Sequence, residues 1–363
     1  MHVFASRQEG EGDIERYGDI IVHRVGPERG FAQRGHFLSR LEFSRECARE
    51  VSRLGPDVVE ASGFVSYPAG IHCKRMNALP TMATVHEVWQ GEWSRNMGLI
   101  NGMVGSLLER RNLSGTYDRY IAVSDFTRRK LINRLGVEPE DVRVIHNGVD
   151  RDLYDSVEVD TKFEKPTIVT VCRLVSYKRV DVLIGAIRKL KAKWPDLRLL
   201  IVGRGPEEDR LKELVHRLDL DRNVQFIGKY PDTRDLVKTL KRSHVYAHPS
   251  IVEGFGMVVV EAMAAGVPYV ASDIPPINEA TRGGVGGSLF PPDDTEQLVS
   301  RLDDALEIKD GKKDPRVDGL LEEYDWKNLA HQYEVEARQL ADHGPDPSGA
   351  GPSFPEPGWG DRF

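Results

Sequence analysis

The stretch HPSIVEGFGMVVVEAMAAGVPYVAS, residues 248–272, decides how the chain is read. It leaves a β-branched run, turns at Pro249-Ser250 and again at Glu253-Gly254-Phe255-Gly256, and continues as a Met-, Val- and Ala-rich helix over 257–265. A short strand follows at 269–272. A carboxylate in an apolar helix is costly unless something pairs with it, and Glu261 sits in the middle of this one. Glu253 stands eight positions earlier, beside the glycines. Glycines let a backbone approach a ligand closely, and a helix N-terminus offers free N–H groups to an anion. An acceptor-only carboxylate suits the two hydroxyls of a ribose. The pattern reads as a clamp on a sugar nucleotide, with Glu261 on the ribose and Glu253 on the sugar. The competing reading makes Glu253 a helix cap and Glu261 the partner of a nearby Arg or Lys; it leaves Gly254 and Gly256 unexplained.

Strand and helix alternate in both directions from this stretch. Strand-like runs fall at 3–5, 20–24, 58–60, 81–85, 119–123 and 142–145, with helical patterns such as 38–54 and 101–116 between them. Beyond residue 166, strands at 167–171, 198–202, 224–227, 244–248, 269–272 and 288–290 alternate with helices at 181–193, 207–218, 232–242, 257–265 and 295–308. This alternation predicts parallel sheets with helices on both faces. The polar, aperiodic segment 150–166 marks a change of domain. The expected fold class is α/β, with two Rossmann-like, doubly wound parallel-sheet domains facing across a cleft. An N-terminal domain over 1–155 is followed by a second over 165–323. A helix over 324–341 is expected to pack back toward the first domain, and a Pro-, Gly- and Ser-rich disordered tail covers 342–363. Ligands in such folds bind in the crevice outside the carboxyl ends of the strands. Met1 already stands inside a strand, so the strand, glycine-rich turn and helix that usually open such a domain are expected to be absent. The strand at 3–5 would then lie beside an unpaired edge.

The totals narrow the function classes. A chain of 363 residues suits two domains. A net charge of −7 argues against nucleic acid as the main partner. No apolar run approaches the ~20 residues needed to span a bilayer, and the N-terminus lacks a signal-peptide pattern. A cytoplasmic location is expected, with peripheral contact at the inner face of the membrane as a further option. Cys47, Cys73 and Cys172 are scattered, which implies reduced thiols rather than a disulfide framework or a zinc site.

A second constellation is VCRLVSYKRVD, residues 171–181, directly after a strand. Arg173 and Lys178 flank the turn before the next helix. Two cations at a strand's carboxyl end can hold a diphosphate and stabilise it as a leaving group; taken alone, the loop reads equally well as a solvated basic turn. The order HNGVD (146–150), RLVSYK (173–178) and HPSIVEGFGMVVVEAM (248–263) resembles the retaining GT-B glycosyltransferases of family four, over nearly the whole chain before the tail. The resemblance implies that Arg173 and Lys178 hold the donor diphosphate, Glu261 the ribose and Glu253 the donor sugar. It gives the backbone around Gly254, Phe255, Gly256 and Met257 the task of orienting that sugar, and places FIGKY (226–230), with Gly228 and Tyr230, beside the nucleobase. It also makes His86, in TVHEVWQGEW (84–93), the residue facing the reacting centre; the residue after it is commonly Asp in the family and is Glu87 here. Ser124 and Arg128, with Arg129 and Lys130, fall where the family often meets the acceptor; a solvated face is an equal reading.

Two patterns are set aside. VGRGPEED (202–209) lacks the third glycine of a dinucleotide fingerprint. Asp219-Leu220-Asp221 matches the metal-binding DxD pattern but sits where a helix ends before a strand, as a solvated turn would. No metal or other cofactor is expected. The partners implied are a nucleotide-diphosphate sugar and a sugar, lipid-linked or small-molecule acceptor. The reaction implied is metal-independent transfer with retention at the anomeric carbon. The alternatives are a non-catalytic sugar-nucleotide-binding protein and a sugar-nucleotide epimerase of the same fold.

Overall fold

The computed structural model describes residues 1–8, 12–29, 37–308 and 314–343. The tail at 344–363 lies outside the described residues. The first half runs β1 (His2–Gln8), β2 (Ile14–Tyr17), β3 (Ile20–Arg29), α1 (Phe37–Leu54), β4 (Val59–Ser62), α2 (Tyr67–Asn77), β5 (Thr81–Val85), α3 (Trp93–Met97), α4 (Leu99–Leu113), β6 (Arg119–Ala122), α5 (Asp125–Leu135) and β7 (Val142–Val144). The short helix α6 (Arg151–Ser156), capped by the Asp150 side chain, leads into the second half. There follow β8 (Thr167–Val171), α7 (Val180–Leu190), β9 (Arg198–Val202), α8 (Glu208–Arg217), β10 (Val224–Gly228), α9 (Thr233–Arg242), β11 (Val245–His248), α10 (Met257–Ala264), β12 (Tyr269–Ser272), α11 (Pro275–Ala280), β13 (Gly287–Phe290), α12 (Thr295–Glu307), α13 (Arg316–Glu323) and α14 (Trp326–His343).

The second-half sheet is six parallel strands in the order β10-β9-β8-β11-β12-β13. Its four inner strands are almost wholly buried because helices cover both faces, as near-continuous runs such as TIVTV and RLLIV require. The chain leaves β8 toward β9 on one side and later fills β11 to β13 on the other. The order therefore reverses between β8 and β11, which opens a crevice at their carboxyl ends.

The first half does not form one continuous sheet. Four parallel strands run β4-β5-β6-β7, and a separate three-stranded sheet runs β1-β3-β2. Among the described residues, β1 pairs with β3 alone, and β4 pairs with β5 alone. Phe4 and Val59, from these two edges, pack against one cluster containing Phe43, Ala48 and Cys73. The expectation of parallel sheets fails at β2, which is antiparallel to β3 across Gly18-Asp19. Gly18 takes a φ of +60°, the left-handed conformation a tight hairpin needs. With Ile14 and Tyr17 exposed, β2 carries too little apolar alternation to read as a strand.

The last helix crosses back. Leu329 and Tyr333 of α14 pack on Ile121 and Ile145, and Glu336 pairs with Arg119 at 3.1 Å and with Arg143 at 3.4 Å. The HNGVD segment is the crossing point: Val149 N–H donates to the Tyr324 carbonyl at 2.8 Å. A side chain at Gly148 would stand 2.6 Å from the Trp326 ring, so glycine is needed for α14 to start there.

Candidate functional site

The site is built where β8 and β11 end. After β8, the loop carries Arg173, and the turn at Ser176–Lys178 brings Lys178 inward. After β11, Glu253 points back at it: Lys178 Nζ lies 2.5 Å from Glu253 Oε1. The same oxygen lies 2.6 Å from His248 Nε2. His248 Nδ1 in turn lies 3.1 Å from the Tyr246 hydroxyl, which donates to the Val171 carbonyl. Burial alone would raise the Glu253 carboxyl, but His248 and Lys178 hold it down to about 2. Desolvation opposes the charge on Lys178, yet Glu253 and Glu87 outweigh it and raise its pKa. Glu253 and Lys178, expected on the sugar and on a diphosphate, are thus each other's partners in the unliganded chain. His248 opens the quoted stretch and was given no role from sequence; its signal was the five-residue spacing to Glu253, which only the turn at Pro249 converts into contact.

The side chain of Glu261, half-buried on α10, has neither a hydrogen bond nor an ion pair among the described residues, and burial pushes its carboxyl above the ordinary value. The Arg or Lys partner that the competing reading requires is missing. Arg173 is likewise exposed and unpaired among the described residues. Gly256 caps α10 with a φ of +102°, and a side chain there would meet Ile277 at 2.3 Å. Met257 is the first residue of α10. Phe255 is buried, stacked on His146 at 5.0 Å between ring centroids and edge-on to Tyr324 at 5.1 Å, so only its backbone is free to meet a ligand.

The remaining candidates differ in placement. Gly228 ends β10 with a φ of +75° and accepts from Gly203 N–H at 2.6 Å. Tyr230 is anchored to the Thr239 hydroxyl at 2.8 Å. The glycines of VGRGP, dismissed as a fingerprint, serve close loop packing: side chains at Gly203 and Gly205 would meet the Cys172 and Leu174 carbonyls at 1.9 and 2.2 Å. Asp219 faces Lys191 and Asp221 faces His216 at the C-terminal end of α8. That is the end of the sheet opposite the crevice. Cys47 and Cys73 are buried and free, their thiols pushed up to about 12 and about 11.

The first half meets this site directly. His86 follows β5; it is exposed, yet enough protein surrounds it for desolvation to lower its pKa, and its Nε2 lies 3.1 Å from Ser62 Oγ. A side chain at Gly254 would stand 1.6 Å from the His86 carbonyl oxygen, so the two halves touch backbone to backbone there. Ser124 is buried: it caps α5 and donates to the Gly254 carbonyl at 2.6 Å. Its hydroxyl is spent on that contact, which corrects the alternative that Ser124 lies on a solvated face. Arg128, one turn into α5, is half-buried. Glu279, also overlooked in the sequence, accepts from the Asp125 and Phe126 N–H groups at 2.7 and 3.1 Å, a carboxylate on the N-terminus of α5.

Two doubly wound units, touching across the carboxyl ends of their strands and framing a charged crevice, define a two-domain GT-B architecture. Comparison with known proteins gives the same assignment. Residues 1–153 match the family described as Glycosyltransferase Family 4, and residues 155–317 match Glycosyl transferases group 1. The chain belongs to the GT-B glycosyltransferases of family four. It is 26% identical over 345 residues to an uncharacterized glycosyltransferase of Methanocaldococcus jannaschii, covering 88% of this chain and 85% of that one. It is 34% identical over 219 residues to the phosphatidyl-myo-inositol mannosyltransferase of Mycolicibacterium smegmatis, covering 58% of this chain and 55% of that one. Among solved structures, sucrose-phosphate synthase from Thermosynechococcus elongatus superposes with a TM-score of 0.79 at 20% identity, covering 93% and 88% of the two chains. Anabaena HepE, solved in complex with UDP-glucose, superposes at 0.70 with 21% identity and 86% coverage of both chains. These likenesses carry the fold.

Proposed function

We propose that the chain transfers a sugar from a nucleoside diphosphate to an acceptor hydroxyl, with retention and without a metal ion. The observation that carries the reading is the pairing of a partnerless, half-buried Glu261 with the Lys178–Glu253–His248 cluster at the sheet's switch point. Glu261 would gain two hydroxyl donors from ribose. Lys178 and Arg173 would meet the diphosphate, with the N–H groups at the start of α10 beside them. A bound diphosphate competes with Glu253 for Lys178 and frees the carboxylate to accept from the donor sugar's hydroxyls. The transition state of such a transfer is oxocarbenium-like. Charge growing on the leaving phosphate is met by fixed cations, and the acceptor attacks from the same face with that phosphate as its base. HepE, the Anabaena neighbour solved with UDP-glucose, supports a nucleotide-sugar donor. Relatives named for phosphatidylinositol or inositol 3-phosphate make an inositol-bearing headgroup the first acceptor class to test. The experiment is a screen of nucleotide sugars against such acceptors, with products weighed by mass spectrometry and anomeric configuration read by NMR. A retained product formed equally well with EDTA is expected. Inverted product or strong EDTA inhibition contradicts the proposal, and release of an isomerised nucleotide sugar without acceptor replaces it with epimerase chemistry.

A further inference from the structure

Helix α4 turns its large apolar side chains outward, the reverse of what water favours. Its buried face is Gly102, Gly105, Glu109, Asn112 and Leu113, small or polar but for the last. Its solvent face carries Leu99, Ile100, Met103, Val104 and Leu107, each between 51% and 74% exposed. At about 100° per residue these five fall on one side of the helix, opposite the buried set. The inversion has a structural cause. Side chains at Gly102 and Gly105 would lie 2.5 Å from Ser94 and 2.4 Å from the Trp93 ring, so the inward face must be bare for α3 to close on it. Glu109 then accepts from Trp89 N–H at 2.7 Å and Trp93 Nε1 at 2.8 Å, which satisfies the buried carboxylate. These needs explain the polar inside; nothing in the fold requires an apolar outside. Contiguous apolar surface of this kind marks a site that meets something other than water.

The charges beside the stripe say what. Arg110 and Arg111 continue the exposed face at its C-terminal end. Arg111 also borders an open depression of about 280 Å³ between α1, α2 and α4, together with Arg45, His72 and Arg75. Arg45, Arg75, Arg110 and Arg111 are exposed and have no ion-pair partner among the described residues. Arg110 and Arg111 flank the apolar stripe, and Arg45 and Arg75 stand beside Arg111 at the depression, four cations without ion-pair partners among the described residues in a chain of net charge −7. We infer that this face docks on an anionic lipid bilayer, with the α4 stripe lying among the headgroups and the arginines on their phosphates. The inference is independent of the sugar-transfer reading, since it uses none of the residues of that site.

Vesicle co-sedimentation tests it with the whole chain. The protein is expected to pellet with vesicles containing phosphatidylglycerol, to stay in solution with phosphatidylcholine alone, and to be released by high salt. Replacing Arg110 and Arg111 together by Ser should weaken vesicle binding roughly thirty-fold, two cations' worth at an anionic surface. M103E with L107E should abolish binding while leaving the thermal melt unchanged, because both side chains are exposed. Absence of pelleting with phosphatidylglycerol, or pelleting unchanged by either pair, overturns the proposal. So does a dimer of the native chain that M103E with L107E converts to monomer, since a second copy would then cover the stripe.

Discussion

At the scale of single residues, the site holds two carboxylates in opposite states. Glu253 is charged and saturated by Lys178 and His248; Glu261 is half-buried and alone. Replacing Glu261 by Ala should leave the fold intact and cost nucleotide binding roughly 1.5–3 kcal/mol, the range for hydrogen bonds to a charged group. Because burial raises the free carboxyl and accepting two hydroxyls favours its ionised form, binding should release a proton. Affinity should therefore rise with pH from the ordinary carboxylate range up through the raised value, and titration in buffers of different ionisation enthalpy measures the proton. Lys178 behaves differently. Removing it strands the buried Glu253 charge, which costs roughly 3–5 kcal/mol where nothing relaxes and less here because His248 remains. The Lys178→Ala variant should melt earlier as well as turn over more slowly, whereas Arg173→Ala, exposed and without an ion-pair partner among the described residues, should lose nucleotide binding and turnover with an unchanged melt. The Glu253 contribution to stability is complete above its ordinary value of 4.5 and is lost as pH falls toward about 2. In Lys178→Ala the folded value lies nearer 4.5, so that contribution is smaller and is gone at a higher pH, which acid unfolding monitored by circular dichroism would show.

At the scale of elements, the two halves are held by close backbone contact and by hydrogen bonds from side chains of one half to the backbone of the other. Gly254 lies against the His86 carbonyl, and Ser124 and Glu279 tie the start of α5 to the second domain. Gly254→Ala should fold normally but hold the halves apart, with a larger radius of gyration by small-angle scattering and little transfer activity; an unchanged radius would contradict this. Much of this level was legible in advance. TIVTV, RLLIV and TMATV are legible to the residue because a strand buried on both faces reads as a short, largely apolar and β-branched run. Glu261 stands out in sequence because an isolated carboxylate in MVVVEAMA contradicts its surroundings. What could not be read is tertiary. No local pattern tells that Glu279 caps a helix in the other domain, or that Ser124 spends its hydroxyl on Gly254. The exposed apolar face of α4 resembles a core-facing stripe in sequence, and the structure turns it outward because Trp93 occupies the other side.

At the scale of the whole molecule, the second half is one six-stranded sheet with cores on both faces, while the first half is two smaller sheets meeting at unpaired edges. Edge strands with few buried partners open first. Amides of β1, β2 and β3 should exchange with solvent faster than those of β8, β9 and β11 in a hydrogen-exchange experiment; equal protection would mean that the β1–β4 gap costs nothing. The central claim is that a nucleoside diphosphate binds at the crevice between β8 and β11, on Glu261 and the cations. Calorimetric titration of UDP, GDP and ADP into the native chain and into Glu261→Ala and Arg173→Ala tests it most directly. At least one nucleotide should bind the native chain, with proton release when the titration is run in the weakly acidic range where Glu261 is partly protonated, and both variants should bind it more weakly, Glu261→Ala without the proton. Native binding unchanged in both variants would place the nucleotide elsewhere and contradict the account.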